Sequence, residues 1–202
     1  MMTINETTLS FLLEDCIKEF GTEKGEKFFQ RTEQIYQNLL DSADYKNSEV
    51  IREHLQRKLF PPMAYYKTLI AEGYDKSTAL DYVKKETRKA ALAKKEKMQG
   101  LARMPFAYTI YRMGVKKHMK KNFPDEGWDT EWVLCDGREI HFDLRRCIYW
   151  ELSKLYKCPE LCCVYCENDD IAFSGLLPKI KFERTGTLGT GSSCCDFHFI
   201  KA

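Results

Sequence analysis

The sequence lacks the features that mark membrane and secreted proteins. No apolar run approaches the roughly 20 residues that a membrane-spanning helix requires. The N-terminal segment has no basic stretch ahead of its short apolar run, which Glu14 and Asp15 interrupt. Nine cysteines would suggest disulfides in a small secreted domain, but an odd count without a signal predicts thiols or metal ligands instead. We therefore expect a soluble, cytoplasmic protein without membrane contact.

Motifs for nucleic-acid binding are also missing. The sequence contains no zinc-finger spacing, RNA-recognition signature or interleaved aromatic platform. The net charge is only +2, yet residues 84–121 hold thirteen Lys or Arg and two Glu, a local balance of +11. This basic run could bind an anion, or it could be a solvated helix face that attracts the acidic remainder of the chain. We do not predict a nucleic-acid partner.

Hydrophobic periodicity predicts helices for the first 125 residues. Ser48 is expected to cap a third helix, which ends before Pro61-Pro62 because a residue preceding proline is pushed out of the helical region. Gly73 suits the position that follows a fourth helix, and Ser77 is expected to cap a long fifth helix.

After residue 125 the period changes from 3.6 to 2, the period of strands. Asp136-Gly137 lies between two alternating segments and predicts a two-residue hairpin turn. Short helices follow over 147–156 and 159–169, and a second pair of alternating segments ends the chain. We predict one α+β domain over 1–202, with a helical part (1–125) packed on a small antiparallel sheet of two hairpins with short intervening helices (126–202).

The densest group of reactive side chains begins at Cys158. On a helix, Cys158, Cys162 and Cys166 would share one face, and Cys163 with Cys166 forms a CxxC pair. A zinc or iron–sulfur site would need further ligands, although CxxC pairs at metal sites normally lie in turns. A metal site, buried core thiols and a reactive thiol all remain open. The sequence identifies no cofactor, and we assign no residue to a metal.

Arg184 follows Ile180 and Phe182 at a period of two, so it is expected to face the core with them. A buried guanidinium needs an anionic partner, either a substrate carboxylate or a neighbouring aspartate, Asp169 or Asp170.

Alternation further on places Cys195 on one face of the last strand, opposite Asp196 and His198. If the last two segments pair as a hairpin, Cys195 and Arg184 can meet, and the guanidinium would lower the pKa of the thiol.

The C-terminal residues resemble a known family. They contain Cys166-x-x-Asp169, then Phe182-x-Arg184-Thr185-x-Thr187-Leu188, then Gly191-x-x-x-Cys195-Asp196-Phe197-x-Phe199. This pattern resembles the L-2-amino-thiazoline-4-carboxylic acid hydrolase family. The resemblance implies hydrolytic opening of a small cyclic amidine-like ring that carries a carboxylate.

We therefore predict a thiol-assisted hydrolase that acts on a carbon–nitrogen bond of a small carboxylated cyclic amidine. Cys195 is the expected nucleophile with Cys166 as its rival, and Asp169 or Asp196 is the expected general base. The expected substrate contacts are Arg184, Thr185, Thr187 and His198. The alternative is a non-catalytic module that binds a small ligand or senses metal or redox state. Homo-oligomerisation is left open.

Overall fold

The computed structural model describes residues 2–202. Their contacts form two compact units, which meet in sequence between Lys89 and Ala90. The single domain expected from the sequence stays a prediction. None of the described helices is long and apolar enough to cross a membrane.

The first unit is helical. Ser48 caps its third helix through its hydroxyl group, and that helix ends at His54, before the two prolines, both as expected. The prolines are not what ends it, because Phe60, which precedes Pro61, has a helical conformation. A π-helical turn, Leu55–Leu59, follows α3, and the prolines occupy the first turn of the next helix, where no partner for a backbone N–H is needed. The bounds are α1 Leu12–Phe20, α2 Thr22–Ser42, α3 Glu49–His54 and α4 Phe60–Ala71.

The end of α4 and the start of the fifth helix, α5 (Lys76–Ala102), test two further expectations. Gly73 has a φ of +88°. Its N–H donates to the carbonyl oxygen of Ile70, and the N–H of Tyr74 donates to that of Leu69, so Gly73 takes the position after α4, as predicted. The prediction that Ser77 caps α5 is wrong. Asp75 does so, because its carboxylate accepts hydrogen bonds from the N–H and the hydroxyl group of Thr78.

The second unit contains an antiparallel sheet with helices, and the predicted α+β class is confirmed. The strand order is β1-β2-β4-β3. Both predicted hairpins are present, although the first loop comprises three residues because Asp136 accepts the N–H groups of Arg138 and Glu139. The bounds are α6 Ala107–Asn122, β1 Trp128–Cys135, β2 Glu139–Cys147, α7 Ile148–Leu155, α8 Cys162–Phe173, β3 Ile180–Glu183 and β4 Cys195–Lys201.

Pairing of β2 with β4 gives the sheet two chemically different faces. Its inner face is apolar, and Phe142 stacks on Phe197 with ring centroids 5.1 Å apart. Phe173 of α8 and Tyr111 of α6 each lie 5.0 Å from Phe199, so both helices cover this face. The outer face carries the alternate residues of the same two strands, namely Glu139, His141 and Asp143 of β2 with Asp196 and His198 of β4.

Candidate functional site

Three cysteines converge beneath the inner face, and we name Cys162, Cys166 and Cys195 the thiol cluster. Cys162 and Cys166 lie one turn apart on α8, and Cys195 is the first residue of β4. The sulfur of Cys166 accepts hydrogen bonds from both other thiols and from the hydroxyl group of Thr187. Cys166 is half-buried, whereas Cys162 and Cys195 are only 2% and 5% exposed.

The hydrogen bonds concentrate negative charge on Cys166. Donation by Cys162 and Cys195 overcomes the opposing effect of burial and, with Thr187 and the charge of Arg184, lowers the pKa of Cys166 to about 3. The same donation, together with burial, raises the pKa of Cys162 and of Cys195, so these remain thiols. Burial likewise raises the pKa of nearby Cys147 to about 11. The arrangement therefore presents one thiolate with two thiol donors.

The loop between β3 and β4 packs over the thiol cluster. Thr187 caps a short 3₁₀ turn, and the N–H of Leu188 donates to the sulfur of Cys195 over 3.2 Å. Gly189 lies so close to Cys162 that a Cβ atom there would be 3.1 Å from its sulfur. The thiol of Cys163 donates to the carbonyl of Gly189 over 3.4 Å. The loop thus supplies donors to the cluster and limits its volume.

Arg184 faces inward, as the alternation indicates, and its side chain is 7% exposed. Its Nη2 donates to the carbonyl oxygen of Cys166 over 2.9 Å and to Oδ1 of Asp170 over 2.7 Å. The guanidinium also lies over the ring of Phe197, 5.3 Å from its centroid. Arg184 and Cys195 therefore both contact Cys166, which lies between them in this network.

The other predicted aspartate, Asp169, is engaged elsewhere. Its Oδ1 lies 3.4 Å from Nζ of Lys94 on α5, while Arg184 takes the adjacent Asp170. To act as a base at the thiol cluster, Asp169 would have to leave this ion pair with Lys94.

Asp196 lies on the outer face and fixes the start of the β3–β4 loop. Its carboxylate accepts hydrogen bonds from the N–H and hydroxyl groups of Thr185 and from the N–H of Gly186, over 2.7–3.1 Å. Burial alone would raise the pKa of Asp196, but these bonds outweigh it and hold the pKa below its ordinary value. A carboxylate held in this way is a weak base, and its immediate effect is to position Thr185 and Gly186.

His198 lies beside an open depression on the same outer face. Its ring stacks on that of His141 with centroids 3.8 Å apart, and its Nδ1 lies 2.7 Å from Oε1 of Glu139. The depression has a volume of about 540 Å³. It is lined by His141, Asp143, Thr185, Gly186, Ser192, Ser193, Cys194, Asp196 and His198.

The structure thus divides the predicted site residues other than Asp169 into two groups. The first group, Cys166, Cys195, Thr187 and Arg184, forms one network at the thiol cluster. The second group, Thr185, Asp196 and His198, meets at the depression.

The sequence analysis did not select Cys162, although its spacing from Cys166 indicated a shared helix face. It also missed Glu139, His141 and Asp143. Their alternation was visible, but their nearness to His198 depends on the β2–β4 pairing.

Comparison with known proteins gives one result for the chain. The family model described as L-2-amino-thiazoline-4-carboxylic acid hydrolase matches residues 52–199. The matched range includes the thiol cluster, Arg184 and every residue that lines the depression. Comparison with curated proteins and comparison with solved structures each gave no match.

Proposed function

The chain belongs to the L-2-amino-thiazoline-4-carboxylic acid hydrolase family, and we propose that it opens a small cyclic amidine that carries a carboxylate. The nucleophile in this proposal is Cys166. The observation that carries it is the donation of two thiols and one hydroxyl group to the Cys166 sulfur, which favours the thiolate. Cys195, the nucleophile expected from the sequence, becomes a donor to that thiolate.

The proposed reaction has two steps. In the first, the Cys166 thiolate bonds to the amidine carbon, the ring carbon–nitrogen bond breaks, and the departing nitrogen takes a proton from a neighbouring thiol. In the second, water attacks the same carbon and expels the thiolate, while the proton from water restores the thiol. A thiolate with a low pKa is a weaker nucleophile but a better leaving group, so it assists the second step most.

Arg184 is the proposed anchor for the substrate carboxylate. Its guanidinium already holds an anion, Asp170, whose side chain is 55% exposed and can move aside. A substrate carboxylate in place of Asp170 would accept a charged hydrogen bond next to the thiolate. Thr187 would orient the thiolate rather than the substrate.

The remaining predicted residues have separate roles in this proposal. Asp169 could serve as general base only after leaving Lys94, whereas Asp196 positions the loop that carries Thr185. Thr185 and His198 would contact the part of a ligand that extends into the depression.

The test is turnover of 2-aminothiazoline-4-carboxylate by the purified, reduced protein and three serine variants. Cys166→Ser is expected to lower kcat by about 10³-fold or more, because a hydroxyl group is not ionised at neutral pH. The matched control is Cys163→Ser, an adjacent cysteine of the same helix, which should stay within about threefold of the wild type. Wild-type turnover by Cys166→Ser would overturn the assignment, and loss only in Cys195→Ser would restore Cys195 as nucleophile.

A second candidate, a redox-sensing module, is favoured by the same hydrogen-bonded thiols. A peroxide would oxidise the Cys166 thiolate to a sulfenic acid, and an adjacent thiol would then form a disulfide and release water. Reversible loss of two thiols together with no turnover of any thiazoline carboxylate would favour this function over hydrolysis.

A further inference from the structure

Three side chains of the types that bind metals meet on the outer face of the sheet. Glu139 and His141 lie on β2, and His198 lies directly opposite His141 on β4. One donor atom from each residue lies within 4.8 Å of the donor atoms of the other two. All three residues are half-buried, so the strands fix them while solvent reaches them.

One ring nitrogen of each histidine faces a carboxylate. Nε2 of His141 lies 3.2 Å from Oδ1 of Asp143, and Nε2 of His198 lies 3.6 Å from Oδ2 of Asp196. Histidines that bind metals almost always donate their second ring N–H to a carboxylate, a carbonyl or water, which orients the ring and makes the free nitrogen more basic.

These two carboxylates are themselves held in place. Asp143 pairs with Arg145 over 2.9 Å, and Asp196 accepts the N–H groups of Thr185 and Gly186. A supporting shell is therefore built around both histidines, beyond what the Glu139–His198 contact alone would need.

We propose that Glu139, His141 and His198 bind one divalent transition-metal ion, Zn²⁺ or an ion of similar preference such as Co²⁺. The ion would bind between Glu139 and Nδ1 of His198 in place of their direct contact, and His141 would bind through the nitrogen that does not face Asp143. Two imidazoles with one carboxylate suit these ions better than Mg²⁺ or Ca²⁺, which prefer all-oxygen sites. Both rings must turn slightly out of their stack to reach one ion.

Three protein ligands leave a coordination position open, the arrangement of zinc sites that bind water or a ligand. That position would face the depression, where His141 and His198 are lining residues. The inferred ligand is therefore a water molecule or a small anion bound to the ion within the depression. The site shares no ligand with the thiol cluster, so it does not depend on the proposed role of Cys166.

The test is titration of the reduced, metal-free full chain with Zn²⁺ by calorimetry and with Co²⁺ by absorption spectroscopy. The expected result is one equivalent bound, with visible cobalt bands and without a thiolate-to-cobalt charge-transfer band. His198→Gln and Glu139→Gln should each weaken binding at least about tenfold. Glu139→Gln preserves side-chain shape, so it remains informative if the histidine variant unfolds.

Two control variants separate this site from its competitors. His118→Gln removes a histidine on α6 and should leave the affinity unchanged. Cys166→Ser should also leave it unchanged, because the thiol cluster is the alternative site for a soft metal. The proposal is overturned if neither ion binds, if binding survives both His198→Gln and Glu139→Gln, or if it is lost in Cys166→Ser.

Discussion

The two faces of the sheet place different chemistry on the same strand. Along β4, Cys195, Phe197 and Phe199 point inward, while the residues between them, Asp196 and His198, point outward. Thiols can lie under a helix because cysteine behaves as a small apolar residue until it ionises. Imidazoles and carboxylates need water or donors, and they lie at an open depression. One alternating strand therefore places the thiol of Cys195 on one face and the side chains of Asp196 and His198 on the other.

The faces also differ in how they stabilise an anion. On the inner face, the Cys166 thiolate is held by two thiols, a hydroxyl group and the nearby charge of Arg184. On the outer face, the Asp196 carboxylate is held by backbone N–H groups and a hydroxyl group of the loop. The first set of donors can release protons during a reaction, whereas backbone amides cannot. We therefore propose reactivity for the inner face and positioning for the outer face.

The largest expected effect concerns alkylation of Cys166 by iodoacetamide at different pH values. An ordinary thiol with a pKa of about 8.5 loses roughly 10³-fold in rate between pH 8 and pH 5, because its thiolate fraction falls. Cys166 should lose less than about threefold over that range, since its pKa is about 3. Peptide mapping by mass spectrometry would assign the modified residue.

Cys195→Ser and Thr187→Val are the variants that sharpen this measurement. Each weakens or removes one donor to Cys166, so each should raise the pKa of Cys166 and restore part of the rate loss at low pH. If the alkylation rate of Cys166 in the wild-type protein falls with pH as that of an ordinary thiol does, the proposed thiolate on the inner face is contradicted.

The sequence could predict features that depend on near neighbours along the chain. The alternation placed Arg184 and Cys195 inward, and the spacing of Cys162 and Cys166 placed both on one helix face. It could not predict the pairing of β2 with β4, because no short turn joins these strands and their register depends on packing of the whole inner face. Glu139 and His141 were therefore missed.

Competition between similar partners explains the other differences. Asp75 and Ser77 both suit a helix cap, and Asp75, whose carboxylate accepts the N–H of Thr78, caps α5 two residues earlier than predicted. Asp169 and Asp170 both suit Arg184, and only the rotation of α8 decides for Asp170.

The next largest effect is on stability, from Asp196→Ala on the outer face. Removing this carboxylate leaves the N–H groups of Thr185 and Gly186 without their acceptor, which should cost about 2–4 kcal/mol of unfolding free energy. Asp196→Asn keeps one acceptor oxygen and should cost less. Urea unfolding at neutral pH measures both. A loss below about 0.5 kcal/mol for Asp196→Ala would show that the loop does not need this anchor.

The pH dependence of that loss has a definite sign. The pKa of Asp196 is lower in the folded protein than in the unfolded chain, so its stabilising contribution is fully present above the unfolded value of about 3.9. The contribution is lost as the pH falls through the folded-state pKa. The stability difference between the wild type and Asp196→Asn should therefore narrow below about pH 4.

A smaller effect is expected for Gly186→Ala at the rim of the depression. The added Cβ would overlap the hydroxyl oxygen of Ser192 and lie 2.8 Å from its Cβ, so that residue must move. Ser192 is exposed, and the cost should be about 1–2 kcal/mol. Adding Ser192→Gly removes both clashing atoms and should recover most of the loss. Failure of this rescue would place the strain in the backbone instead.

The smallest expected effect is from Gly189→Ala, the corresponding change over the inner face. The added Cβ would lie 3.1 Å from the sulfur of Cys162, a conflict that a shift of a few tenths of an ångström relieves, so the stability loss should stay below about 1 kcal/mol. The reactivity of Cys166 should change more than the stability. Displacing Cys162 weakens the hydrogen bond that lowers the pKa of Cys166 most, so that pKa rises. Alkylation at low pH would measure this, with Gly186→Ala as the outer-face control that leaves the alkylation profile unchanged. If both glycine variants shift the profile equally, the loop couples the two faces, and the separation of a reactive inner face from a positioning outer face does not hold.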